Sequence, residues 1–251
     1  MKKPDVKISV VIPAYNEQDR IVKTLRNVAG FLARQYPGSE VIIVNDGSQD
    51  RTLPVIKSNI GKLDPTVAIK TISLRRNMGK GRAVKKGVLS AKKKWILVMD
   101  ADGSTPVKEV DRLLRKKNDA DVLYGSRYLD RSLLERQQPL TRRIIGRLGN
   151  AVIRVLLGVN LADTQCGFKL FNKDIAGKLF KRACIDRWGW DIEILVICKV
   201  LNISAIEVPV VWRHSKGSRF RAIGGIIKTF SEVIKIRYNL YKNVYYDKKY
   251  H

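Results

Sequence analysis

The chain has 251 residues, of which 45% are hydrophobic, so it can bury a substantial core and is not a disordered tail. It carries 49 Lys and Arg residues against 23 Asp and Glu, a formal net charge of +26, which predicts polyanionic partners: nucleic acid, an anionic membrane or phosphorylated molecules. Its three cysteines show no C-x-x-C spacing and it has two histidines, which excludes the usual zinc constellations and indicates a reducing compartment.

The N-terminal residues do not have the pattern of a targeting segment. Residues 1–7 are basic, but they lead into a short strand-like segment broken by Pro13 and not into the apolar core of a signal peptide. No apolar run approaches the roughly 20 residues that span a bilayer. The sequence therefore predicts a cytoplasmic protein without a signal peptide or a transmembrane helix, whose membrane contact is peripheral.

The first half of the chain alternates buried strands with amphipathic helices. Strands are predicted at 7–12 (ended by Pro13), 40–45, 66–74, 95–99 and 121–125, with a helical segment after each of the first four. This alternation predicts an α/β fold with a mostly parallel sheet and helices on both faces. Because Asn, Asp, Gly and Pro gather after the strands, we expect the polar loops at one edge, where open α/β sheets bind ligands.

The second half is less regular. Helices are predicted at 139–160, 190–201 and about 223–246, strands at 167–171 and 203–211, and a basic loop at 212–220. We find no internal repeat, no low-complexity tract and no linker that would divide the chain into independent domains.

Two carboxylates one residue apart, Asp100 and Asp102, follow the fourth strand. At positions i and i+2 of a turn they can direct oxygens at one Mg²⁺ or Mn²⁺, which then bridges to substrate phosphates. An isolated Asp-x-Asp favours solvated turn residues instead, because Asp is common in turns. An EF-hand is excluded, since Thr105 stands where its glycine belongs. The metal interpretation therefore depends on the other loops.

Two further loops carry groups that suit a nucleotide. Residues 77–81, Asn-Met-Gly-Lys-Gly, place Lys80 at a helix start, where backbone N–H groups favour an anion. The segment is neither a Walker A motif nor a dinucleotide fingerprint. Asp46, after the second strand, could accept hydrogen bonds from a nucleobase or cap the helix that starts near Arg51, although capping suits Asp50 better.

Several segments, matched in order and spacing, resemble the family 2 glycosyltransferases of GT-A fold. They are Val11–Glu17, Val44–Asp50, Asn77–Gly81 and Asp100–Gly103. Others resemble the dolichyl-phosphate glucosyltransferase branch of polyprenyl-phosphate hexosyltransferases: Gly125–Arg127, Asp163–Phe171, Arg187–Glu193, Glu207–Trp212 and Lys216–Ser218. Mannosyltransferase relatives are less similar around 163–171. Eukaryotic members of the branch carry an N-terminal membrane helix, and we expect none here.

The resemblance implies a Rossmann-like GT-A fold with C-terminal amphipathic helices. It divides a glycosyltransferase domain, residues 1–220, into a nucleotide-sugar half to about 125 and an acceptor half at 126–220, followed by an amphipathic extension at 221–251. It also implies an inverting, metal-assisted enzyme that moves a hexose, with glucose as the first choice, from a UDP-sugar to dolichyl or another polyprenyl phosphate.

The resemblance assigns roles to the donor site. Asp100 and Asp102 would hold Mg²⁺ or Mn²⁺ against the diphosphate, where the metal neutralises the leaving nucleoside diphosphate. Asp46 would contact the base. The other donor-binding residues would be Pro13, Ala14, Tyr15, Glu17, Lys80, Ala101, Arg213, Lys216 and Arg219. Arg213 and Arg219 could equally be surface charges of a very basic protein.

The acceptor decides which catalytic groups are needed. A polyprenyl phosphate is already ionised, so it needs cations to place it, and Arg127, Arg142 and Arg143 would grip it in bidentate fashion. A hydroxyl acceptor, as in polysaccharide synthesis, would need a carboxylate base, for which Asp191 is the first choice and Glu193 the second. Asp191 could instead orient the donor sugar, and one of the two carboxylates could serve only the helix dipole.

Helices 139–160 and 223–246 both combine a basic face with an apolar face. Such helices lie on anionic membranes, although core packing with a solvated face is the ordinary alternative. We therefore expect peripheral attachment to the cytoplasmic face of a membrane. GDP-mannose is the alternative donor. Nucleic-acid binding rests on charge alone, and we expect none because no recognised binding motif accompanies it.

Overall fold

The computed structural model describes residues 6–136, 140–213 and 222–246. Up to the fifth strand the elements alternate as predicted: β1 Ile8–Ala14, α1 Ile21–Gln35, β2 Glu40–Asn45, α2 Thr52–Ile60, β3 Ala68–Ser73, α3 Lys80–Ser90, β4 Trp95–Val98, α4 Val110–Arg115 and β5 Val122–Ser126. They are followed by β6 Leu134–Arg136, α5 Leu140–Leu157, β7 Lys169–Asn172, α6 Lys173–Arg182, α7 Trp190–Val200, β8 Ala205–Pro209, β9 Trp212–Arg213 and α8 Ala222–Tyr241. The elements β6, β9 and α6 were not predicted, and β9 occupies the start of the segment 212–220 that was expected to be a basic loop.

Seven strands form one sheet in the order β3-β2-β1-β4-β7-β5-β8, and β6 pairs with β9 in a second, small sheet. Within the large sheet, β7 runs antiparallel to β4 and β5, whereas the other neighbouring strands are parallel. The predicted α/β class with a mostly parallel sheet is confirmed. The reversed strand β7 was not predicted.

Pro13 does not end β1, contrary to the prediction, because the strand continues to Ala14. Pro13 pairs with Val44 of β2 on one side. On the other side the pairing with β4 stops at Val11, so no strand faces the position where Pro13 lacks an N–H. The proline therefore costs no hydrogen bond of the sheet.

Helices cover both faces of the sheet, as predicted. Side chains of β1 alternate between two cores: Val11 faces the core that includes α3, α6 and α7, whereas Val10 and Ile12 face the core of α1, α2 and α4. Among the described side chains of the last two long helices, Ile153 and Leu157 of α5 and Val233 and Ile236 of α8 are buried in the first core.

The carboxyl ends of the parallel strands lie at one edge of the sheet, and we call it the carboxyl edge: the residues that follow β1, β2, β3, β4, β5 and β8. Backbone hydrogen bonds join its loops, from Asp46 N to Ala14 O and from Leu74 N to Asn45 O, both 2.9 Å. Because β7 runs the other way, its amino end at Lys169 lies at the same edge. The predicted gathering of polar loops is therefore confirmed.

Both α5 and α8 also carry apolar side chains on their outer faces. Those that are exposed are Val152, Val155 and Leu156 on α5 and Phe230, Ile234, Tyr238 and Tyr241 on α8. The side chains of Ile223, Ile226 and Ile227, which belong to the predicted apolar face, lie outside the described part. In the ranges that the structure describes, no helix combines the length and apolar character needed to cross a bilayer.

Candidate active site

Asp46 ties the loop after β2 to the residues that precede α3. It is buried, and its two carboxylate oxygens accept hydrogen bonds from the backbone N–H groups of Met78 at 2.8 Å and Gly79 at 2.9 Å. Burial raises the pKa of Asp46, and these two hydrogen bonds oppose the rise. Asp46 therefore places the chain directly before Lys80, and its contact with a base stays a prediction.

Asp50 is not the N-cap of α2, which is Arg51, contrary to the prediction, but it supports the start of the helix from one residue earlier. Its Oδ1 accepts a hydrogen bond of 2.9 Å from the backbone N–H of Thr52, the first residue of α2. The hydroxyl of Thr52 in turn accepts from the backbone N–H of Glu17 at 2.6 Å. The start of α2 is thus linked directly to the corner after β1.

The corner after β1 carries four of the predicted donor-binding residues. Pro13 and Ala14 are buried in the strand, and Tyr15 is partly exposed. Asn16 adopts a left-handed conformation, with φ of 55°, and its N–H donates to the hydroxyl of Ser48 at 2.9 Å. Glu17 forms an ion pair with Arg20 at 2.7 Å. The corner is therefore fixed in position before any ligand binds.

Lys80 and Asp100 come together from two different loops, as a shared phosphate site requires. Lys80 Nζ lies 2.6 Å from Asp100 Oδ1. Burial lowers the pKa of Lys80, but the carboxylates of Asp100, Asp191 and Asp102 together more than reverse this, so that the pKa is raised overall. The hydroxyl of Thr24 in α1 donates to Ala101 O at 2.7 Å and anchors the turn between the two carboxylates.

Asp102 is half-buried beside Asp100. Its Oδ1 accepts from the backbone N–H of Ser104 at 2.9 Å. Burial raises the pKa of Asp102, and the negative charge of Asp100 raises it further. Two carboxylates that repel each other in this way would both be stabilised by a cation bound between them.

The two carboxylates suit a divalent metal whose remaining coordination positions are filled by the substrate and by water. Within the described ranges, no cluster of three or more His, Cys, Asp or Glu side chains is arranged as a metal cage. Mg²⁺ seldom needs such a cage, because it keeps waters and binds one or two carboxylates together with substrate phosphates. Asp100 and Asp102 are hard oxygen donors, and Lys80 places a further cation beside them.

Gly167, just before β7, passes very close to Asp100. A Cβ atom built on Gly167 would lie 2.1 Å from Asp100 Oδ2, which is far inside van der Waals contact. Any larger residue would therefore displace the carboxylate. The sequence alone does not reveal a role for this glycine, because the contact joins residues 67 positions apart and depends on the reversed direction of β7.

Asp191 lies in the first turn of α7, and its partner is Lys169. Both residues are almost completely buried, with Lys169 Nζ 3.5 Å from Asp191 Oδ2. Asp191 Oδ1 accepts from the backbone N–H of Ile192 at 3.0 Å. Burial raises the pKa of Asp191, and the ammonium groups of Lys169 and Lys80 oppose the rise.

Glu193, the second choice for a base, is a structural carboxylate. It is fully buried and accepts hydrogen bonds from the backbone N–H groups of Cys184 and Ile185 at 2.9 and 2.8 Å. The hydroxyl of Tyr245 donates to it as well, at 2.9 Å. Glu193 therefore fastens the loop before α7 and the chain after α8.

Arg127 follows β5 and forms a bidentate pair with the fully buried Asp163. Its Nε and Nη2 donate to the two carboxylate oxygens at 2.7 and 2.8 Å, and its backbone N–H donates at 2.9 Å. The guanidinium also lies near the rings of Tyr128 and Trp212, 5.7 Å from each centroid. A guanidinium has five N–H donors, so the pair with Asp163 orients Arg127 without using all of them.

The other predicted cations are placed less completely. The backbone N–H of Arg213 donates to Ser104 O at 2.8 Å, which brings the exposed Arg213 next to the turn of Asp102. Arg142 and Arg143 lie in α5, in the part whose side chains are outside the description, and Lys216 and Arg219 lie outside the described residues altogether. Their roles stay predictions.

Two charged residues at the site, Asp163 and Lys169, received no role in the sequence analysis. A usable signal was present for Lys169, because it stands among Phe168, Leu170 and Phe171 in a segment that reads as a buried strand. A lysine at such a position needs a buried partner. The sequence does not reveal that the partner is Asp191, 22 residues further on.

The chain is similar to known proteins over most of its length. Residues 9–180 match the family described as Glycosyl transferase family 2. The chain is 36% identical over 245 residues to a Dictyostelium discoideum protein named dolichyl-phosphate beta-glucosyltransferase, an alignment that covers 93% of this chain and 75% of the relative. It is 31% identical over 266 residues to the Saccharomyces cerevisiae protein of that name, covering 98% and 78%.

Solved structures share the fold. Glucosyl-3-phosphoglycerate synthase from Mycobacterium tuberculosis, in complex with Mn²⁺ and UDP-glucose, superposes with a TM-score of 0.66 at 18% identity and covers 94% of this chain and 80% of its own. A second complex of that enzyme, with Mn²⁺, UDP-glucose and phosphoglyceric acid, gives a TM-score of 0.67. At this level of identity the likeness concerns the fold alone.

Proposed function

Because the chain belongs to glycosyl transferase family 2, we propose that it transfers glucose from UDP-glucose to dolichyl or another polyprenyl phosphate, with inversion at the anomeric carbon and with the help of Mg²⁺ or Mn²⁺. The observation that carries the proposal is the similarity over nearly the whole chain, acceptor half included, to proteins named dolichyl-phosphate beta-glucosyltransferase. Similarity confined to residues 1–125 would have supported only a nucleotide-sugar site.

The donor side of the proposal rests on the carboxyl edge. Asp100 and Asp102 would hold the metal, whose positive charge favours departure of the nucleoside diphosphate. Lys80, which lies 2.6 Å from Asp100, would turn toward the diphosphate, and Arg213 would approach from the other side of the Asp102 turn. Lys216 and Arg219 would extend this cluster of cations. Pro13, Ala14, Tyr15, Glu17 and Asp46 would form the pocket of the base and ribose.

The acceptor side rests on Arg127. Asp163 fixes its guanidinium, and the remaining donors would bind the phosphate of the polyprenyl chain. An ionised phosphate oxygen can attack the anomeric carbon without a strong base. Arg142 and Arg143, at the start of α5, would add to this grip. Asp191 then has no proton to remove, and we assign it to the hydroxyl groups of the donor sugar.

The outer faces of α5 and α8 support a position on a membrane. The exposed apolar side chains of both helices lie among basic residues such as Arg154, Lys235 and Lys242, a combination that suits an anionic lipid surface. The acceptor is itself anchored in lipid. We therefore place the protein on the cytoplasmic face of a membrane, with 221–251 as the amphipathic extension.

The experiment is an assay of the purified protein with radiolabelled donors. UDP-glucose, UDP-galactose, UDP-N-acetylglucosamine and GDP-mannose are each incubated with polyprenyl phosphate and Mn²⁺, and the lipid-linked product is extracted. We expect product with UDP-glucose, and none after addition of a chelator. Failure with every donor would overturn the proposal. Transfer from GDP-mannose alone would show that GDP-mannose, and not UDP-glucose, is the donor.

A further inference from the structure

Lys169 is a charged side chain in the interior of the protein, and its surroundings are built around its charge. It is 0% exposed, and it stands at the amino end of β7, where that strand reaches the carboxyl edge. Its ammonium group lies 4.9 Å from the ring centroid of Tyr124 and 5.0 Å from that of Trp190. It also donates a hydrogen bond to the carbonyl oxygen of Cys166.

A buried ammonium group is costly unless it is paired, since it gives up its hydration. The two rings and the carbonyl oxygen replace part of that hydration, because aromatic faces attract cations. They leave its positive charge uncompensated. The nearest carboxylate is Asp191, at 3.5 Å, and this pairing joins β7 to the first turn of α7.

The carboxylate of Asp191 is fixed at both oxygens. Oδ1 accepts from the backbone N–H of Ile192, and Oδ2 faces Lys169. The hydroxyl of Tyr124, whose ring contacts the ammonium group, also donates to the backbone carbonyl of Asp191 at 3.2 Å. Lys169 and Tyr124 therefore hold both the side chain and the backbone of this residue.

We propose that Lys169 is a positioning residue for Asp191, holding that carboxylate in the orientation in which it accepts hydrogen bonds from hydroxyl groups of the donor sugar. Lys169 does not touch the donor itself. It acts through Asp191, and the aromatic pair Tyr124 and Trp190 determines where its ammonium group lies. The inference rests on the proposed function, because it takes the donor to be a nucleotide-linked hexose.

If Lys169 acts through contacts with the sugar, its replacement should weaken the binding of UDP-glucose but not that of UDP. Both ligands contain the nucleotide and the diphosphate, but only UDP-glucose has the hydroxyl groups that Asp191 would bind. For Lys169→Met we expect the preference for UDP-glucose over UDP to fall roughly tenfold, the loss of one hydrogen bond to a charged group, while the affinity for UDP stays as in the wild type. Isothermal titration calorimetry with each ligand and Mn²⁺ measures this ratio.

A double-mutant cycle with Asp191→Asn tests whether the effect of Lys169→Met depends on Asp191. If Lys169 acts through Asp191, Lys169→Met lowers the preference in the wild-type background and adds nothing to Asp191→Asn. An equal further loss in the Asp191→Asn background would overturn the proposal. The matched control is Lys173→Met, an exposed lysine four residues away whose Nζ donates to Lys92 O, and it should leave both affinities unchanged.

Lys169→Gln is the second variant, because an uncharged amide tolerates burial and can still donate to the Cys166 carbonyl. The same loss of preference is expected there. A full preference in a variant that binds UDP normally overturns the inference, and so does loss of UDP binding in both variants, which would make Lys169 a support of the whole fold. A wild type that binds neither ligand contradicts the proposed function and the inference with it.

Discussion

Asp100 and Asp102 are close in sequence but have different neighbours. Asp100 is paired with Lys80, whereas Asp102 accepts from a backbone N–H and has its pKa raised by burial and by the charge of Asp100. A metal between them would relieve this repulsion. Asp102 is therefore the residue whose removal tests the metal assignment most directly.

We predict that Asp102→Ala abolishes transfer at any Mn²⁺ concentration. Even partners outside the first coordination shell of a metal contribute about 10- to 100-fold to affinity or activity, so loss of a ligand should cost more. The measurement is the initial rate across a Mn²⁺ titration. Asp174→Ala, at an exposed position in α6, is the control and should keep wild-type activity. Full activity of Asp102→Ala would show that Asp102 is not a ligand of the metal.

The pair of Arg127 and Asp163 is buried on the carboxylate side. Burial would raise the pKa of Asp163, but the guanidinium and its hydrogen bonds outweigh this, so that the pKa is lowered overall. Because the pKa is lower in the folded than in the unfolded protein, the carboxylate contributes its full stability at pH values above the unfolded-state pKa. That contribution is lost as the pH falls toward the folded-state pKa. Asp163 therefore stabilises the protein at neutral pH and not in strong acid.

We predict that Asp163→Asn lowers the free energy of unfolding by about 3 to 5 kcal/mol at pH 7, because it leaves the Arg127 charge without its partner. The difference from the wild type should shrink as the pH falls below about 3.9, the usual pKa of Asp, because the carboxylate is then protonated in the unfolded wild type and must lose that proton on folding. Urea unfolding at pH 7 and pH 3 measures both. Asp119→Asn, in an exposed ion pair with Lys116, should cost less than about 1 kcal/mol. A difference that is independent of pH would contradict the ion-pair explanation.

The strand β7 brings the two parts of the site together. It enters the sheet between β4 and β5, antiparallel to both, so that Gly167 and Lys169 arrive at the carboxyl edge from its amino end. A parallel strand at this position would have placed them at the opposite edge. The direction of β7 therefore brings Gly167 beside Asp100 and Lys169 beside Asp191.

We predict that Gly167→Ala reduces transfer by more than roughly tenfold and raises the Mn²⁺ concentration needed, because the new Cβ would occupy the space of the Asp100 carboxylate. The measurement is the rate as a function of Mn²⁺. The control is Gly177→Ala in α6, where nothing lies within 4 Å of an added Cβ and a helical glycine is replaced by a better helix former. If Gly167→Ala needs no more Mn²⁺ than the wild type, Gly167 does not shape the metal site.

The sequence predicts the parallel part of the fold because each β-α unit shows its own periodicity and ends in turn residues. That regularity also places Lys80 and Asp100 at a common edge, which the structure confirms. It does not reveal the direction of a four-residue strand such as β7, since that depends on its neighbours. The partners of Arg127 and Asp191 could not be predicted for the same reason: Asp163 is 36 residues from Arg127 and Lys169 is 22 from Asp191.

The net charge of +26 and the exposed apolar faces of α5 and α8 act together at the level of the entire protein. On the proposed membrane surface, the charge would attract anionic lipid within the screening length of roughly 10 Å, and the apolar side chains would add a contact that salt does not screen. Within α8 the two roles are separated, because Val233 and Ile236 are buried in the core while Ile234 and Tyr238 face outward. Membrane binding can therefore be weakened without disturbing the core.

We predict that the double substitution Ile234→Ser and Tyr238→Ser weakens binding to anionic vesicles by roughly tenfold or more, since burying one such side chain contributes about 1.5 to 3 kcal/mol. Vesicle sedimentation at low and moderate salt measures it, and activity toward a water-soluble acceptor phosphate should stay unchanged. The control is Leu89→Ser, which replaces an exposed apolar residue on α3. Unaltered vesicle binding of the double variant would show that α8 is not the contact surface.

The position of β7 also bears on how the chain reaches its native state. Strands β4 and β5 are only 24 positions apart from Val98 to Val122, yet the strand that separates them lies at 169–172 and emerges from the ribosome later. Until then β4 presents an unpaired edge, a feature that favours association between nascent chains. The sheet closes late and through distant contacts, which slows folding. The proposed donor and acceptor halves share this one sheet, so recombination between relatives at residue 125 would divide it.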